Sequence, residues 1–266
     1  MSKELAQTAR KRFGQNFLID GSVIDAILSA VAARPQDHLI EIGPGHGAIT
    51  EGLFASGADL TLIELDRDLI PGLLASFVTK APDRCRLINQ DVLTVDFSGL
   101  KGPVRVVGNL PYNISTPLLF KLLELGLKVK DIHVMLQQEV VKRICAEPGS
   151  SAYGRLGVMI QAVADVEPLI HVPPTAFAPA PKVESGVVRI SPNAQKAARI
   201  EDMNSLQKLV RMAFAQRRKT LKNNLKEWPT PIPWDDWGVD PSARAETLAV
   251  ETYVRLANAL KREETH

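Results

Sequence analysis

The sequence predicts an α/β protein in which a parallel sheet flanked by helices is followed by a smaller helical region. In the first two thirds of the 266 residues, short apolar runs alternate with segments of helical periodicity. After Pro192 the pattern is helical only. We therefore place a domain boundary near residues 191–201 and expect a first domain at 1–195 and a second at 196–266.

The first region opens with a predicted helix, whose apolar residues from Val23 to Val31 follow a cap at Asp20 or Ser22. Strands and helices then alternate, as expected for a parallel sheet with helical crossovers. The predicted strands are His38–Ile42, Leu60–Glu64, Cys85–Asn89, Val104–Val107 and Ile132–Gln137, and the predicted helices are Ala48–Ala55, Arg67–Thr79, Thr116–Gly126 and Glu139–Ala146.

Two later apolar runs, Gly157–Val166 and Val183–Ile190, are separated by a proline-rich segment. We interpret them as two strands joined by a rigid loop, which would add an antiparallel edge to the sheet. The predicted helices of the second domain are Asn204–Phe214, Lys219–Trp228 and Ser242–Arg262.

Composition excludes several classes of protein. The hydrophobic fraction of 45% and the charged fraction of 23% are ordinary for a soluble globular protein. The two cysteines, Cys85 and Cys145, have no CxxC spacing, so neither a disulfide framework nor a zinc site is predicted. No apolar run approaches the roughly 20 residues of a membrane span, and the first residues lack the apolar core of a signal peptide. We expect a cytoplasmic protein without a metal.

Positive charge is concentrated in two places although the net charge is only +2. A stretch from Met203 to Lys226 holds basic residues and no Asp or Glu, and Arg10-Lys11-Arg12 lies near the start of the chain. Both clusters suit phosphate contacts, although a solvated helix face would have the same composition. The basic residues of the longer stretch are Lys208, Arg211, Arg217, Arg218, Lys219, Lys222 and Lys226.

The tetrapeptide Asn109-Leu110-Pro111-Tyr112 follows the apolar run that begins at Val104. An Asn side chain offers both an acceptor and donors, Pro fixes the backbone, and Tyr supplies a flat face for a planar base. Together these residues predict a strand tip that grips an amino group attached to an aromatic ring.

A glycine-rich loop, Gly43-Pro44-Gly45-His46-Gly47, follows the first long strand. Its G-x-G-x-G spacing differs from the G-x-G-x-x-G of dinucleotide enzymes, which disfavours an NAD-dependent oxidoreductase. It suits an adenosyl cofactor without a pyrophosphate. The role of His46 is left open.

Acidic side chains end the next two predicted strands. Glu64 lies about 20 residues beyond the glycines, where a carboxylate typically binds ribose hydroxyls. Asp91 follows the next strand and is placed to accept from an adenine amino group. Because ligands of open parallel sheets bind at the carboxyl ends of the strands, we expect Glu64, Asp91 and Asn109 to converge.

Six segments, in this order, resemble the ribosomal RNA adenine N6,N6-dimethyltransferases, and within them the bacterial small-subunit enzymes linked to kasugamycin sensitivity. The resemblance covers essentially the whole chain. The segments are Lys11–Leu18, Glu41–Gly47, Glu64–Asp66, Asn89–Leu93, Asn109–Ser115 and Phe177–Val183.

This resemblance implies a Rossmann-like methyltransferase fold with a small helical C-terminal domain, and S-adenosylmethionine as cofactor. It implies dimethylation of two adjacent adenosines in the 3′-terminal hairpin loop of 16S rRNA within an immature 30S subunit, by a chain that we expect to be monomeric. The implied cofactor contacts are Asn16, Leu18, Gly43, Gly45, Glu64, Asp91 and Asn109.

For the chemistry, we expect the Asn109 side-chain oxygen and the Leu110 carbonyl to accept the two N6 hydrogens of the target base, with Pro111 fixing the turn. Tyr112 is expected to stack on one face of the base, and Phe177, from an exposed proline-rich loop, on the other. Two alternatives remain open. One is a large-subunit rRNA methyltransferase of the macrolide-resistance type, and the other is a non-catalytic ribosome-assembly factor.

Overall fold

A seven-stranded sheet follows from the alternating pattern of strands and helices. The structure, a computed structural model, describes residues 16–100, 102–228 and 232–263. The strands of the chain are β1 (Phe17–Leu18), β2 (His38–Ile42), β3 (Asp59–Glu64), β4 (Cys85–Asn89), β5 (Val104–Asn109), β6 (Val129–Gln137), β7 (Ala164–Val172), β8 (Phe177–Ala178) and β9 (Ser185–Pro192).

Helices connect these strands and continue the chain after β9. No helix among the described residues is long and apolar enough to cross a membrane. The helices are α1 (Gly21–Val31), α2 (Thr50–Ala55), α3 (Ile70–Leu73), α4 (Ser115–Glu124), α5 (Gln138–Ile144), α6 (Arg155–Gln161), α7 (Ala194–Ala197), α8 (Met203–Ala213), α9 (Leu221–Asn224) and α10 (Val250–Glu263).

The sheet has the strand order β4-β3-β2-β5-β6-β9-β7, with β2 to β6 paired in parallel. Strand β9 pairs antiparallel with β6, which confirms the predicted antiparallel addition. A separate two-stranded sheet joins β1 to β8. All five predicted strands from β2 to β6 are confirmed, and Asp20 accepts from Ser22 N and Val23 N as the cap of α1.

The chain divides into two compact units. The first comprises residues 1–141 and 167–192, and the second comprises 142–166 and 193–266. The second part of the second unit begins at residue 193, close to the expected boundary at 195, but residues 142–166, which the sequence pattern places in the first domain, belong to the second unit. Tertiary packing explains this, because α6 packs against α8 and α10.

The predicted strand Gly157–Val166 is wrong. Its first part is the helix α6, and β7 begins only at Ala164. Five consecutive residues of α6, from Leu156 to Ile160, are buried, so the run has no polar face to reveal a helical period. Close packing holds it: a Cβ at Gly157 would lie 2.6 Å from the Arg143 carbonyl oxygen, and Gln161 Nε2 donates to Ile144 O at 2.8 Å.

Three helices differ from prediction in extent. The predicted helix Arg67–Thr79 is α3 followed by a π-helical turn over Leu74–Val78. Only α9 forms within Lys219–Trp228, and Ser242–Arg262 resolves into a short 3₁₀ turn, Ala245–Thr247, followed by α10.

Candidate active site

A cavity of about 560 Å³ opens where the carboxyl ends of the parallel strands meet. Its walls come from the glycine loop after β2, the end of β3, the turn after β4 and the segment after β5. The strand-end argument therefore predicted the convergence correctly. The cavity wall includes every residue assigned to the cofactor, namely Asn16, Leu18, Gly43, Gly45, Glu64, Asp91 and Asn109.

The glycine loop brings bare backbone to the cavity. Gly43, Gly45 and Gly47 have φ of 67°, 61° and 89°, a region that side chains disfavour. A Cβ at Gly45 would lie 3.2 Å from the Phe17 ring, and one at Gly47 would lie 2.8 Å from the Phe77 ring. Glycine is thus required for the turn and for the packing beneath it, and the three glycine N–H groups are bonded within the protein, to Ile63 O, Glu64 Oε2 and Pro44 O.

Glu64, at the end of β3, is buried and held from two sides. Its Oε2 accepts from Gly45 N at 3.2 Å, and its Oε1 accepts from Asp66 N at 2.9 Å. Burial raises the pKa of this carboxyl, and the backbone hydrogen bonds oppose that rise. The geometry fixes a carboxylate whose remaining lone pairs can accept from ligand hydroxyls.

Glu41, near the end of β2, is a cavity residue that was not among the predicted site residues. It is 2% exposed, and its Oε2 has no hydrogen-bond partner among the described residues. Burial raises its pKa to about 8, the Thr50 hydroxyl opposes the rise, and repulsion from Glu64 adds to it. The sequence signal that could have revealed Glu41 is an acidic residue within the otherwise apolar strand His38–Ile42.

Asp91 follows β4 and forms a tight turn. Its Oδ1 accepts from Leu93 N at 2.9 Å, while its carbonyl accepts from Thr94 N at 2.8 Å. This turn fixes the backbone from which the Asp91 side chain reaches the cavity wall.

Asn109 ends β5 with its amide held in one orientation. Its Nδ2 donates to Asn16 O at 3.0 Å, and a carbonyl can only accept, so the side-chain oxygen is the acceptor end of the group. Leu110 N–H donates to Met135 O at 3.2 Å, which anchors the next residue to β6. Leu110, Pro111 and Tyr112 also line the cavity.

Tyr112 is half-buried and tethered through its hydroxyl. The Tyr112 Oη and Ser185 Oγ atoms lie 2.8 Å apart, and Ser185 is fully buried at the start of β9. This hydrogen bond restricts the tyrosine ring. Ser185 escaped sequence reasoning because the two residues are 73 positions apart, and only the β6–β9 pairing brings them together.

Phe177 does not occupy the exposed loop that we expected. It lies in β8, pairs with Leu18 of β1, and is 3% exposed within the hydrophobic core. The prolines around it suggest exposure, but the chain there forms a short strand in which the ring is buried. Phe177 therefore belongs to the hydrophobic core next to β1, and it is not among the residues that line the cavity.

His46 lies at the cavity with its ring centroid 4.4 Å from that of Phe17. Burial lowers its pKa, and Asp66 opposes this. Among residues 16–100, 102–228 and 232–263, no cluster of three or more His, Cys, Asp or Glu side chains is arranged to hold a metal ion.

The basic stretch of the second unit is mostly solvent-exposed, but three of its members have other partners, among them Lys226, whose Nζ lies 3.7 Å from Glu227 Oε1. Arg217 donates to Ser151 O at 2.8 Å and to Tyr153 O at 3.3 Å, so its guanidinium anchors a neighbouring loop. Lys208 Nζ lies 4.4 Å above the Trp228 ring. Arg218 and its neighbours are exposed. The cluster at residues 10–12 lies outside the described residues.

Two solved structures share the overall architecture. A dimethyladenosine transferase from Plasmodium falciparum superposes with a TM-score of 0.83 over 93% of this chain and 98% of its own, at 22% identity, which supports the fold alone. The 23S rRNA methyltransferase ErmE superposes with a TM-score of 0.71 over 92% of this chain and 100% of its own, at 25% identity. The Rossmann-like methyltransferase fold is therefore confirmed.

Sequence relatives are closer. The protein named ribosomal RNA small subunit methyltransferase A from Pseudomonas fluorescens is 49% identical over 98% of this chain and 97% of its own. Its namesake from Saccharophagus degradans is 50% identical over 95% of this chain and 94% of its own. Residues 6–262 match the family described as ribosomal RNA adenine dimethylase. This chain belongs to the ribosomal RNA adenine dimethylase family.

Proposed function

We propose that this protein transfers methyl groups from S-adenosylmethionine to N6 of two adjacent adenosines in the 3′-terminal hairpin loop of 16S rRNA, within an immature 30S subunit. The observation that carries the proposal is the Asn109 amide, whose nitrogen is committed to Asn16 and whose oxygen is left as an acceptor in a nucleoside-sized cavity. The names of the relatives at about 50% identity support the small-subunit substrate.

The cavity residues fit this cofactor. Glu64 is positioned for ribose hydroxyls and Asp91 for the adenine amino group. The unpaired Oε2 of buried Glu41 suits a cationic ligand, since a buried carboxylate is costly without a partner. When bound, S-adenosylmethionine supplies an activated methyl group on a sulfonium.

The chain's contribution to catalysis is orientation. Asn109 Oδ1 and the Leu110 carbonyl accept the two N6 hydrogens of an extruded adenine, which favours a pyramidal nitrogen with its lone pair directed at the methyl group. Neither acceptor is basic enough to keep a proton, so the proton passes to water after transfer. Tyr112, restrained by Ser185, stacks on the base and contributes about 1–3 kcal/mol.

The second unit contributes RNA affinity. Arg218, Lys219 and Lys222 are exposed in a stretch without acidic residues and suit the phosphate backbone. Arg217 is assigned a smaller share, because its guanidinium already binds two carbonyls. An rRNA substrate places the reaction in the cytoplasm, and we expect a monomer to suffice, because all the proposed catalytic and cofactor residues lie on one chain.

The test is Asn109→Ala, assayed for methyl transfer to immature 30S subunits and for RNA binding. We expect turnover to fall by about 100-fold or more, by analogy with the loss of an oriented donor or acceptor, with RNA affinity nearly unchanged. Gln195→Ala, which removes an exposed side-chain amide of α7 outside the basic stretch, is the control and should retain turnover. Near wild-type turnover by Asn109→Ala would refute the assignment.

Substrate choice separates the remaining alternatives. The large-subunit alternative predicts methylation of naked 23S rRNA in preference to immature 30S subunits. A non-catalytic assembly factor predicts RNA binding without methyl transfer to either substrate.

A further inference from the structure

Lys121, in the last turn of α4, is hydrogen-bonded to an unusual set of acceptors. Its Nζ donates to Val92 O at 3.2 Å, Leu93 O at 2.7 Å and Val95 O at 2.7 Å. An ammonium group has three N–H donors, and each has a carbonyl here. The three acceptors are consecutive or nearly so, which means that one charged group holds a single short loop.

This loop is the one that begins with Asp91. It has no regular secondary structure between Asp91 and Val95, so its conformation depends on local turns and on contacts from outside. Leu93 connects the two groups directly: its N–H donates to the Asp91 side chain, and its carbonyl accepts from Lys121. Displacement of the loop would therefore move the Asp91 carboxylate.

Helix α4 also follows directly on a second part of the cavity wall. It begins at Ser115, directly after the segment from Asn109 to Ile114 that lines the cavity. One rigid helix thus positions the base-binding segment at its first residue and the Asp91 loop through Lys121 near its last. Lys121 itself is not part of the cavity wall.

We propose that Lys121 is a positioning residue that holds the Asp91 carboxylate at the adenine edge of the cofactor. The loop that recognises the cofactor's base is thereby hydrogen-bonded to α4. The proposal rests on the proposed function, since it assumes that Asp91 accepts from the 6-amino group. A merely structural lysine would affect stability without affecting which base is bound.

The experiment compares two ligands by calorimetry: S-adenosylhomocysteine and its hypoxanthine counterpart, S-inosylhomocysteine, which carries an oxygen where adenine carries the amino group. The wild type should prefer the adenine compound by tenfold or more, as roughly expected for one hydrogen bond to a charged group. Lys121→Met should reduce this preference about tenfold. Lys128→Met is the matched control, because Lys128 Nζ donates to Ser98 O at 2.9 Å, beyond the loop from Asp91 to Val95, and it should retain the wild-type preference.

Lys121→Gln is the second variant, in case the methionine variant does not fold. Its amide keeps two N–H donors, so the preference should fall only about threefold. If both folded variants bind the two compounds with the wild-type ratio, the positioning role is wrong, even if both are less stable. If the wild type binds neither compound, the proposed cofactor is wrong and the assignment of Lys121 falls with it.

Discussion

The buried Glu41 gives a quantitative prediction for the stability of the protein without ligand. Its pKa is raised from 4.5 to about 8 in the folded state. A raised pKa of an acid means that folding favours the neutral form, so this group's contribution is intact below its unfolded pKa and is lost as the pH rises through the folded pKa. Ionisation of Glu41 should therefore destabilise the fold progressively between about pH 4.5 and pH 8.

The magnitude follows from the size of the shift. One pKa unit corresponds to about 1.4 kcal/mol, so the penalty is about 2 kcal/mol near pH 6 and about 5 kcal/mol near pH 9. Glu41→Gln has the same shape and no charge. Between pH 6 and pH 9, the free energy of unfolding of the variant should therefore rise by about 3 kcal/mol relative to that of the wild type.

Urea unfolding followed by circular dichroism at about pH 6 and pH 9 measures this difference. Glu124→Gln, on the exposed face of α4, is the control and should give the same difference from wild type at both pH values. Parallel pH profiles for the wild type and Glu41→Gln would show that the pKa of Glu41 is the same in the folded and unfolded states, and the reasoning from its burial would be refuted.

Three further predictions concern other contacts. Arg105→Met should destabilise the first unit by about 3–5 kcal/mol, because it strands the buried Asp131, which Arg105 binds at 2.9 Å; a loss below about 1 kcal/mol in urea unfolding would contradict this. Ser185→Ala should free the hydroxyl of Tyr112 and lower turnover several-fold with stability changed by about 1 kcal/mol, measured in single-turnover assays, and unchanged turnover would exclude the tether from catalysis. Arg218→Gln should lower the slope of log affinity against log salt for rRNA by about 1, and an unaltered slope in filter-binding titrations would show that this exposed side chain makes no phosphate contact.

Local sequence signals determined the five parallel strands of the sheet and the position of the candidate site at their carboxyl ends. The strand His38–Ile42 is an apolar run that ends in a glycine loop, and Glu64 and Asp91 stand at the ends of the next strands. Parallel strands present their carboxyl ends at one edge, so sequence position alone brought Gly43, Glu64, Asp91 and Asn109 together.

Tertiary structure decided what local pattern could not. A short run whose middle is buried on all sides shows no period, so the sequence predicts a strand where α6 forms. The prolines near Phe177 suggest an exposed loop, although the residue pairs with β1. Ser185 and Lys121 act through partners distant in the sequence, and Glu41 acquires its raised pKa only from the packing around it. Sequence sets the order of elements and the chemistry at strand ends because both are local, whereas burial and long-range hydrogen bonds arise only when the chain is closed into its fold.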